Sequence, residues 1–317
     1  MVVLDSNRRE KESSTGDENM SLEDKAEMIT LMRDCKYWFV ICKEKKFRRP
    51  PLITASLLTA MFTVYYVADE GNKPGDSARA LIYIPGPDHE WYRSLSAMFS
   101  HVNDNHLVMN AIMLFLLGSL FEFTEGIVKT ACCTWGGGTL GFALHGAMKP
   151  NTMVRGMSGA IYGIMFAQIS LLALNWVEMG ARWARALIIA ILLGVDIVTY
   201  LNWKTPGVSY EAHCFGALAG ICVALVLGRN LRLRKWEITM TWGGVLGYVA
   251  LVVAAFAGNQ LSAALLASAL IPILVGYAIY LTAKAWHLEC CKPDSEMENK
   301  DDLTLQLERM EETVQDI

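Results

Sequence analysis

Long apolar stretches divide the chain into segments that are each close to the length of a membrane-crossing helix. A helix needs about 20 consecutive, mostly apolar residues to span a bilayer. Only Gly258, Asn259 and Gln260 separate the last two stretches, which are therefore predicted to form a tight hairpin. The pattern predicts an all-α, polytopic membrane protein. Its eight spans lie at about residues 51–68, 95–121, 127–148, 153–176, 182–201, 208–228, 238–258 and 261–284.

The composition supports the membrane class and adds little else. Hydrophobic residues make up 53% of the 317 residues and charged residues 19%, whereas a soluble domain carries about 25% charged residues. The charges are concentrated before residue 50, in short loops and after residue 284. The net charge of -4 is uninformative, because acids and bases are segregated at the ends. The lipid bilayer is the expected surrounding, and no nucleic-acid partner is expected.

The basic residues between the spans predict the orientation, because cytosolic loops carry an excess of lysine and arginine. Basic groups lie at residues 43–49 before the first span, at Arg182 and Arg185 after the fourth, and at residues 229–235 after the sixth. All three places are on one side if every span crosses once, so both termini are predicted to be cytosolic. The opposite side holds fewer, scattered basic residues: Lys149, Arg155 and Lys204.

The two ends of the chain are predicted to lie outside the membrane. Residues 1–20 are polar and acidic, which predicts disorder. A short amphipathic helix is predicted after Ser21, either on the membrane surface or in solvent. Five acids in the first twenty residues argue against a mitochondrial presequence, and there is no early apolar run typical of a cleaved signal. The plasma membrane or the secretory pathway is therefore expected. Cys290 and Cys291 follow the last span and are either palmitoylated or unmodified.

A serine and a histidine, Ser158 and His213, lie inside two of the apolar segments, and Gly156 and Gly159 flank the serine. Polar groups at membrane depth are costly and indicate function by default. Either residue alone is explained by helix packing or a structural hydrogen bond. Together they predict a pair in which His213 accepts the Ser158 proton and makes the hydroxyl nucleophilic. Tyr162 lies one turn after Ser158 and is predicted to stack on the imidazole. No intramembrane acid is evident as a third member, so a dyad is expected.

The second apolar segment supplies two further polar side chains. His106 and Asn110 are four residues apart and therefore share one helix face. An acyl-transfer site needs donors aimed at the developing oxyanion, and an imidazole and an amide can both serve. His101 precedes them, either at the mouth of the site or as a water-exposed histidine at the span end. Glu122 is predicted to be a buried structural acid near the cytosolic end.

The sequence also contains a glycine pair and a further intramembrane acid, and it lacks two known site motifs. Gly216 and Gly220 form a G-x-x-x-G pair that permits close contact with a neighbouring helix. Asp196, near the luminal end of the fifth span, either makes a structural hydrogen bond to another helix or helps to wet or gate the cavity. The residues after Ser158 do not complete the G-x-S-x-G elbow of α/β hydrolases. The cysteines and histidines form no metal-ligand pattern, so neither a metal nor a cofactor is expected.

Taken together, these residues resemble the signature of the rhomboid family of intramembrane serine proteases. The motifs that carry the resemblance, over about residues 51–228, are His101-x4-His106-x3-Asn110, Gly156-x-Ser158-Gly159 with Tyr162, and Ala212-His213-x2-Gly216-x3-Gly220. Tyr92-Arg93 falls where the family commonly has Trp-Arg in its first luminal loop, and Glu122 falls on the family's acidic residue of the second span. Tyr92 departs from that pattern. A second departure is the pair of spans after the core, where many eukaryotic members have one.

The resemblance implies an intramembrane serine endopeptidase that cleaves single-span transmembrane substrates near the luminal face. By this resemblance Ser158 is the nucleophile and His213 the general base. His106 and Asn110, with the backbone N–H of Ser158, form the oxyanion hole, and Gly156 lies in the loop before the nucleophile. The organisation implied is a cytosolic amino-terminal region (1–49), a six-helix rhomboid core (50–228), one or two additional transmembrane helices (229–286) and a cytosolic tail (287–317).

Two other classes of function compete with the protease. A catalytically silent rhomboid-like protein would bind transmembrane clients for trafficking or degradation. Loss of the dyad would mark it, and here both Ser158 and His213 are present. A transporter would distribute charged residues across the bilayer and show repeated halves, whereas the polar residues of this chain cluster toward one face.

Overall fold

The structure is a computed structural model that describes residues 50–67, 80–86, 90–176, 179, 182–203, 209–229 and 235–290. Several predictions lie outside the described residues. These are the disordered start (1–20), the amphipathic helix after Ser21, the cytosolic tail, and modification of the Cys290 and Cys291 side chains.

The described chain is helical, which confirms the all-α class. Its only pairing of extended segments is an isolated antiparallel bridge between Tyr83 and Val154. A π-helical turn, Leu114–Gly118, joins α3 to α4. The helices are α1 Leu52–Val67, α2 Arg93–Ser96, α3 Asp104–Met113, α4 Ser119–Glu125, α5 Ile127–Met148, α6 Ser158–Leu174, α7 Arg182–Trp203, α8 Tyr210–Leu227, α9 Lys235–Ala257, α10 Leu261–Ser268 and α11 Ile271–Cys290.

Helices long and apolar enough to cross a membrane make this a multi-pass membrane protein. Two further apolar helices, α1 and α6, are shorter. Every predicted span coincides with a helix or a run of helices, although the crossing of all eight remains a prediction. Within the described residues, four helices meet both the length and the hydropathy expected of a span: Asp104–Glu125, Tyr210–Leu227, Trp236–Ala257 and Leu261–Trp286.

The start of the second span was predicted wrongly. It begins at Asp104, nine residues after the predicted residue 95. The Asn103 side chain accepts a hydrogen bond from the backbone N–H of His106 at 2.8 Å and so caps the helix. The residues between Ser96 and Asn103 instead form a loop that leads into α3. Apolar side chains in this loop extended the hydrophobic pattern beyond the true helix.

Close backbone packing of α5, α6 and α8 forms the centre of the bundle. A Cβ placed on Gly216 would overlap the carbonyl oxygen of Gly159, and one placed on Gly220 would overlap that of Gly163. A Cβ on Gly137 would lie 3.1 Å from the Cα of Gly163. The predicted G-x-x-x-G contact is therefore present, and it fixes the relative register of α6 and α8.

The carboxy-terminal helices pack on α5 and α8 as the predicted hairpin. The Trp135 Nε1–H donates to the carbonyl of Leu266 at 3.0 Å, and the Tyr248 hydroxyl donates to that of Ala267 at 3.1 Å. Residues 269–270 interrupt the last span just before Pro272, which has no N–H and is tolerated in the first turn of α11. The last predicted span thus consists of two consecutive helices, α10 and α11.

Glu122 connects the second span to the start of α1. Its carboxylate accepts hydrogen bonds from the backbone N–H groups of Ile53 and Thr54, each at 2.9 Å, and from the Thr54 hydroxyl at 2.9 Å. The carboxylate therefore satisfies donors at a helix N-terminus, which a helix leaves without internal partners. Glu122 is buried, as predicted.

We expect Glu122→Ala to lower the free energy of unfolding by about 1.5 to 3 kcal/mol, because it removes the acceptor of the Ile53 and Thr54 hydrogen bonds and leaves these donors unsatisfied. Denaturant unfolding in detergent micelles measures the change. Thr59→Ala is the matched control, since the Thr59 hydroxyl is exposed and donates to the Ala55 carbonyl of its own helix. Equal stability of the Glu122 variant and the control would contradict a capping role.

Candidate active site

Ser158 is the first residue of α6, and two loops hold the chain in front of it. Tyr83 and Val154 exchange backbone hydrogen bonds of 3.1 Å each. The N–H of Gly156 then donates to the carbonyl of Ala97 at 2.8 Å. The segments around Tyr83 and Ala97 therefore support the chain that leads to the serine.

Gly156 has a backbone conformation that requires glycine. Its φ of 120° is one that residues with a side chain rarely adopt. The His106 ring also lies where a side chain would stand, because a Cβ on Gly156 would be 2.6 Å from its Cε1 atom. Glycine at this position thus brings the His106 imidazole directly against the loop before Ser158.

The register of α6 and α8 brings together the helix turns that carry Ser158 and His213. A Cβ on Gly159 would lie 3.4 Å from the carbonyl oxygen of Ala212, so these two positions are in contact. Ser158 precedes Gly159 and His213 follows Ala212. Within the described residues Ser158 makes no hydrogen bond to His213, and both ring nitrogens of this buried histidine lack a hydrogen-bond partner.

Aromatic rings hold the His213 imidazole. The Tyr162 ring stacks on it with 4.3 Å between centroids and 16° between planes, which confirms the predicted stacking. Tyr210 meets the imidazole edge-on at 5.7 Å and 77°. Sequence reasoning missed Tyr210. Its spacing of three residues from His213, which places both on one helix face, was the available signal.

Asp196 reaches the site through Tyr162. The Tyr162 hydroxyl donates a hydrogen bond to the Asp196 carboxylate across the interface of α6 and α7. The structure thus agrees with the structural alternative offered for Asp196, a hydrogen bond to a neighbouring helix. The sequence did not show that the partner would be the ring that stacks on His213.

His106 and Asn110 lie on α3 beside this pair. The Asn110 Nδ2 donates to the carbonyl of His106 at 3.0 Å, which uses one of its two amide hydrogens. The Nδ1 atom of His106 is buried and has no hydrogen-bond partner within the described residues. One amide N–H and one imidazole nitrogen therefore remain for a ligand at this position.

His101 is buried against His106, so the alternative of a water-exposed histidine is wrong. The two rings meet edge-on with 5.2 Å between centroids. The Nδ1–H of His101 donates to the carbonyl of Phe99 at 3.1 Å, which fixes the tautomer. Burial lowers the pKa of His101 to about 3, so the ring is neutral at physiological pH. His101 packs behind His106 and supports its ring.

Arg93, at the start of α2, links that helix to the segment around Ile82. It is buried, and its guanidinium donates to the carbonyl of Ile82 at 3.0 Å and pairs with Glu90 at 2.5 Å. Glu122, at the far end of the second span, contacts α1 and not the serine. The structure therefore separates these two residues from the cluster around His213.

A polar cluster at the start of α8 was also missed from the sequence. The Ser209 hydroxyl donates to the Nδ1 of buried His145 at 2.6 Å, and the Nε2–H of that histidine donates to the Thr152 carbonyl at 3.2 Å. Glu211 pairs with Lys149 at 2.6 Å. These contacts join the end of α5 to the helix that carries His213.

Known proteins are similar to this chain over the region that contains the site. Residues 88–230 match the family model of the rhomboid domain. Rhomboid-related protein 1 of Caenorhabditis elegans is 30% identical over 156 residues, which are 48% of this chain and 44% of that protein. Human rhomboid-related protein 3 is 24% identical over 228 residues, 66% of this chain and 56% of that protein. Mouse rhomboid-related protein 2 is 25% identical over 217 residues, 63% of this chain and 72% of that protein.

The matched region includes every residue of the cluster around Ser158 and His213. Residues 88–230 of the chain therefore form a rhomboid domain. The chain spans about half the length of the first curated relatives that it matches.

Proposed function

We propose that this protein is an intramembrane serine endopeptidase that cleaves single-span transmembrane proteins near the luminal or extracellular membrane face. The observation that carries the proposal is the close contact of α6 and α8 at Gly159 and Ala212, the chain neighbours of Ser158 and His213, with the Tyr162 ring stacked on the imidazole. Both Ser158 and His213 lie in apolar helices, where such groups are costly unless they serve a function.

The reaction begins when the Ser158 hydroxyl attacks a backbone carbonyl carbon of the substrate. His213 takes the hydroxyl proton, and its unpartnered ring nitrogens leave it free to do so. The hydrogen bond that this transfer needs forms in the substrate complex, where such catalytic bonds often tighten.

The negative charge on the carbonyl oxygen is stabilised by three donors. These are the backbone N–H of Ser158, the second amide hydrogen of Asn110 and the imidazole of His106. The protonated His213 then gives its proton to the leaving amine, which releases the first product. Water from the luminal side then attacks the acyl-enzyme while His213 accepts its proton. The bond between the carbonyl carbon and the Ser158 oxygen breaks, and His213 returns the proton to that oxygen, which restores the serine and releases the second product as a carboxylic acid.

The orientation and compartment form a further part of the proposal. The basic groups at residues 43–49, Arg182, Arg185 and residues 229–235 favour one cytosolic side that holds both termini. Ser158 and His213 then lie toward the luminal or extracellular face. The plasma membrane or the secretory pathway suits this arrangement.

Labelling with a fluorophosphonate probe tests the proposal. The serine oxygen of an active site displaces fluoride from phosphorus, so a competent Ser158 becomes covalently modified, and peptide mass spectrometry locates the modification. The full chain is also expressed with a panel of single-span reporters, and the product ends are mapped. Modification of Ser158 together with reporter cleavage is the expected result. Reporter binding without labelling or cleavage would instead identify a catalytically silent, client-binding protein.

A further inference from the structure

We propose that Asp196 is a positioning residue for the Ser158–His213 pair and acts on it through Tyr162. The inference rests on the proposed protease function. It assigns the centre an acidic group that does not touch the histidine. The connection runs from the Asp196 carboxylate to the Tyr162 hydroxyl, and from the Tyr162 ring to the imidazole of His213.

The position of Asp196 on α7 calls for a partner that compensates its burial. It is half-buried on an apolar helix, between the exposed side chains of Val195 and Ile197. An acid at membrane depth is costly, and such residues pair with a partner that compensates the cost. Its hydrogen-bond partner among the described residues is Tyr162, and a neutral polar side chain would tie the two helices together at lower cost.

Tyr162 is the means by which Asp196 reaches the histidine. Neither ring nitrogen of His213 has a hydrogen-bond partner within the described residues, so the plane of the imidazole is set by ring contacts. The stacked Tyr162 ring makes the closest of these, at 4.3 Å. Anchoring its hydroxyl to Asp196 fixes the tilt of the phenol ring, and the phenol ring in turn fixes the imidazole.

The same arrangement also stabilises the positive charge that develops on His213 during the reaction. His213 becomes an imidazolium when it takes the Ser158 proton, and the face of an aromatic ring attracts a cation. A phenol that donates its proton toward a carboxylate is richer in electrons than a free one, because the acceptor is negatively charged. Asp196 therefore favours the charged form of His213 in the transition state more than the neutral form of the resting enzyme.

The test is a double-mutant cycle on the purified full chain in detergent, read by saturation kinetics of fluorophosphonate labelling. Asp196→Asn and Tyr162→Phe are each expected to lower the maximal labelling rate about tenfold, which corresponds to a small change in the barrier. The half-saturating probe concentration is expected to stay unchanged. The double variant should be no slower than either single variant, because residues that act as one unit give non-additive effects.

Two further variants separate positioning from general loss of structure. Asp196→Glu is expected to recover most of the rate, since it restores a carboxylate at this position. Tyr248→Phe removes a buried hydroxyl that bonds the Ala267 carbonyl on the far side of the bundle, and it should leave the labelling rate unchanged.

Several outcomes would overturn the inference. Additive losses in the double variant would show that Asp196 and Tyr162 act separately. A change confined to the half-saturating probe concentration, or to thermal stability, would show that Asp196 only holds α6 and α7 together. In both cases the wild type still labels at Ser158, so the protease proposal stands. Failure of the wild type to label at Ser158 would end both proposals.

Discussion

Replacing His213 with alanine is expected to slow reporter cleavage and fluorophosphonate labelling by about 10²- to 10⁴-fold, the range that a general base contributes. The loss follows because, among the histidines that the structure describes, His213 is the proposed acceptor of the Ser158 proton. His145 and His101 are both engaged with backbone carbonyls, and His106 lies on the oxyanion side of the proposed site. The rate of product formation from a single-span reporter in detergent measures the effect.

The control for this prediction is the comparison with Ser158→Ala and with the double variant. Ser158→Ala should abolish labelling and reduce cleavage at least as far. The double variant should be no slower than the serine variant, because the two residues act in one step and their losses do not add. A His213→Ala protein that still labels at the wild-type rate would show that the imidazole is not the base. Retained binding of the reporter by each variant would show that the fold is intact.

Gly220→Val is expected to lower the free energy of unfolding by about 3 kcal/mol or more, at the upper end of the costs of overpacking. Even the first side-chain carbon would overlap the carbonyl group and Cα of Gly163, which are backbone atoms that cannot rotate away. The helices α6 and α8 must then separate, and Ser158 and His213 separate with them. Denaturant unfolding in micelles and the labelling rate measure the two consequences.

Gly243→Ala provides the matched control for helix glycine substitution. A Cβ at Gly243 on α9 would meet no atom within 4 Å, so the change adds no clash. In a helix interior, alanine is more stable than glycine by roughly 0.5 to 1 kcal/mol. The control should therefore be unchanged or slightly more stable. If Gly220→Val were as stable as Gly243→Ala, the close approach of α6 and α8 would not determine the site.

The candidate site was predictable where its parts depend on local spacing. Tyr162 lies one turn from Ser158, and Asn110 one turn from His106, so the helical period alone put each pair on one face. The boundary of the second span was not predictable in the same way. Apolar residues continue into the loop before Asn103, and hydropathy does not distinguish a buried loop from a helix.

Other parts of the site depend on pairs of residues that are far apart in the chain. Asp196 and Tyr162 are separated by 34 residues, and Glu122 lies 68 residues from Thr54. His145 and Ser209 are 64 residues apart. Each of these polar residues was visible in the sequence, but a periodic pattern states only which face of a helix a residue occupies. It does not state which other helix that face meets.

The sequence by itself determined the membrane class, the order of the helices and the four residues proposed for the chemistry, because hydropathy and helical spacing are local properties. The tertiary structure decided which of the polar residues meet. Glycine contacts set the register of α6 against α8 and so bring the helix turns that carry Ser158 and His213 together. The packing of α7 on α6 brings Asp196 to Tyr162. Register and neighbour choice arise from the fit of whole helix surfaces, and no single stretch of the chain contains that information.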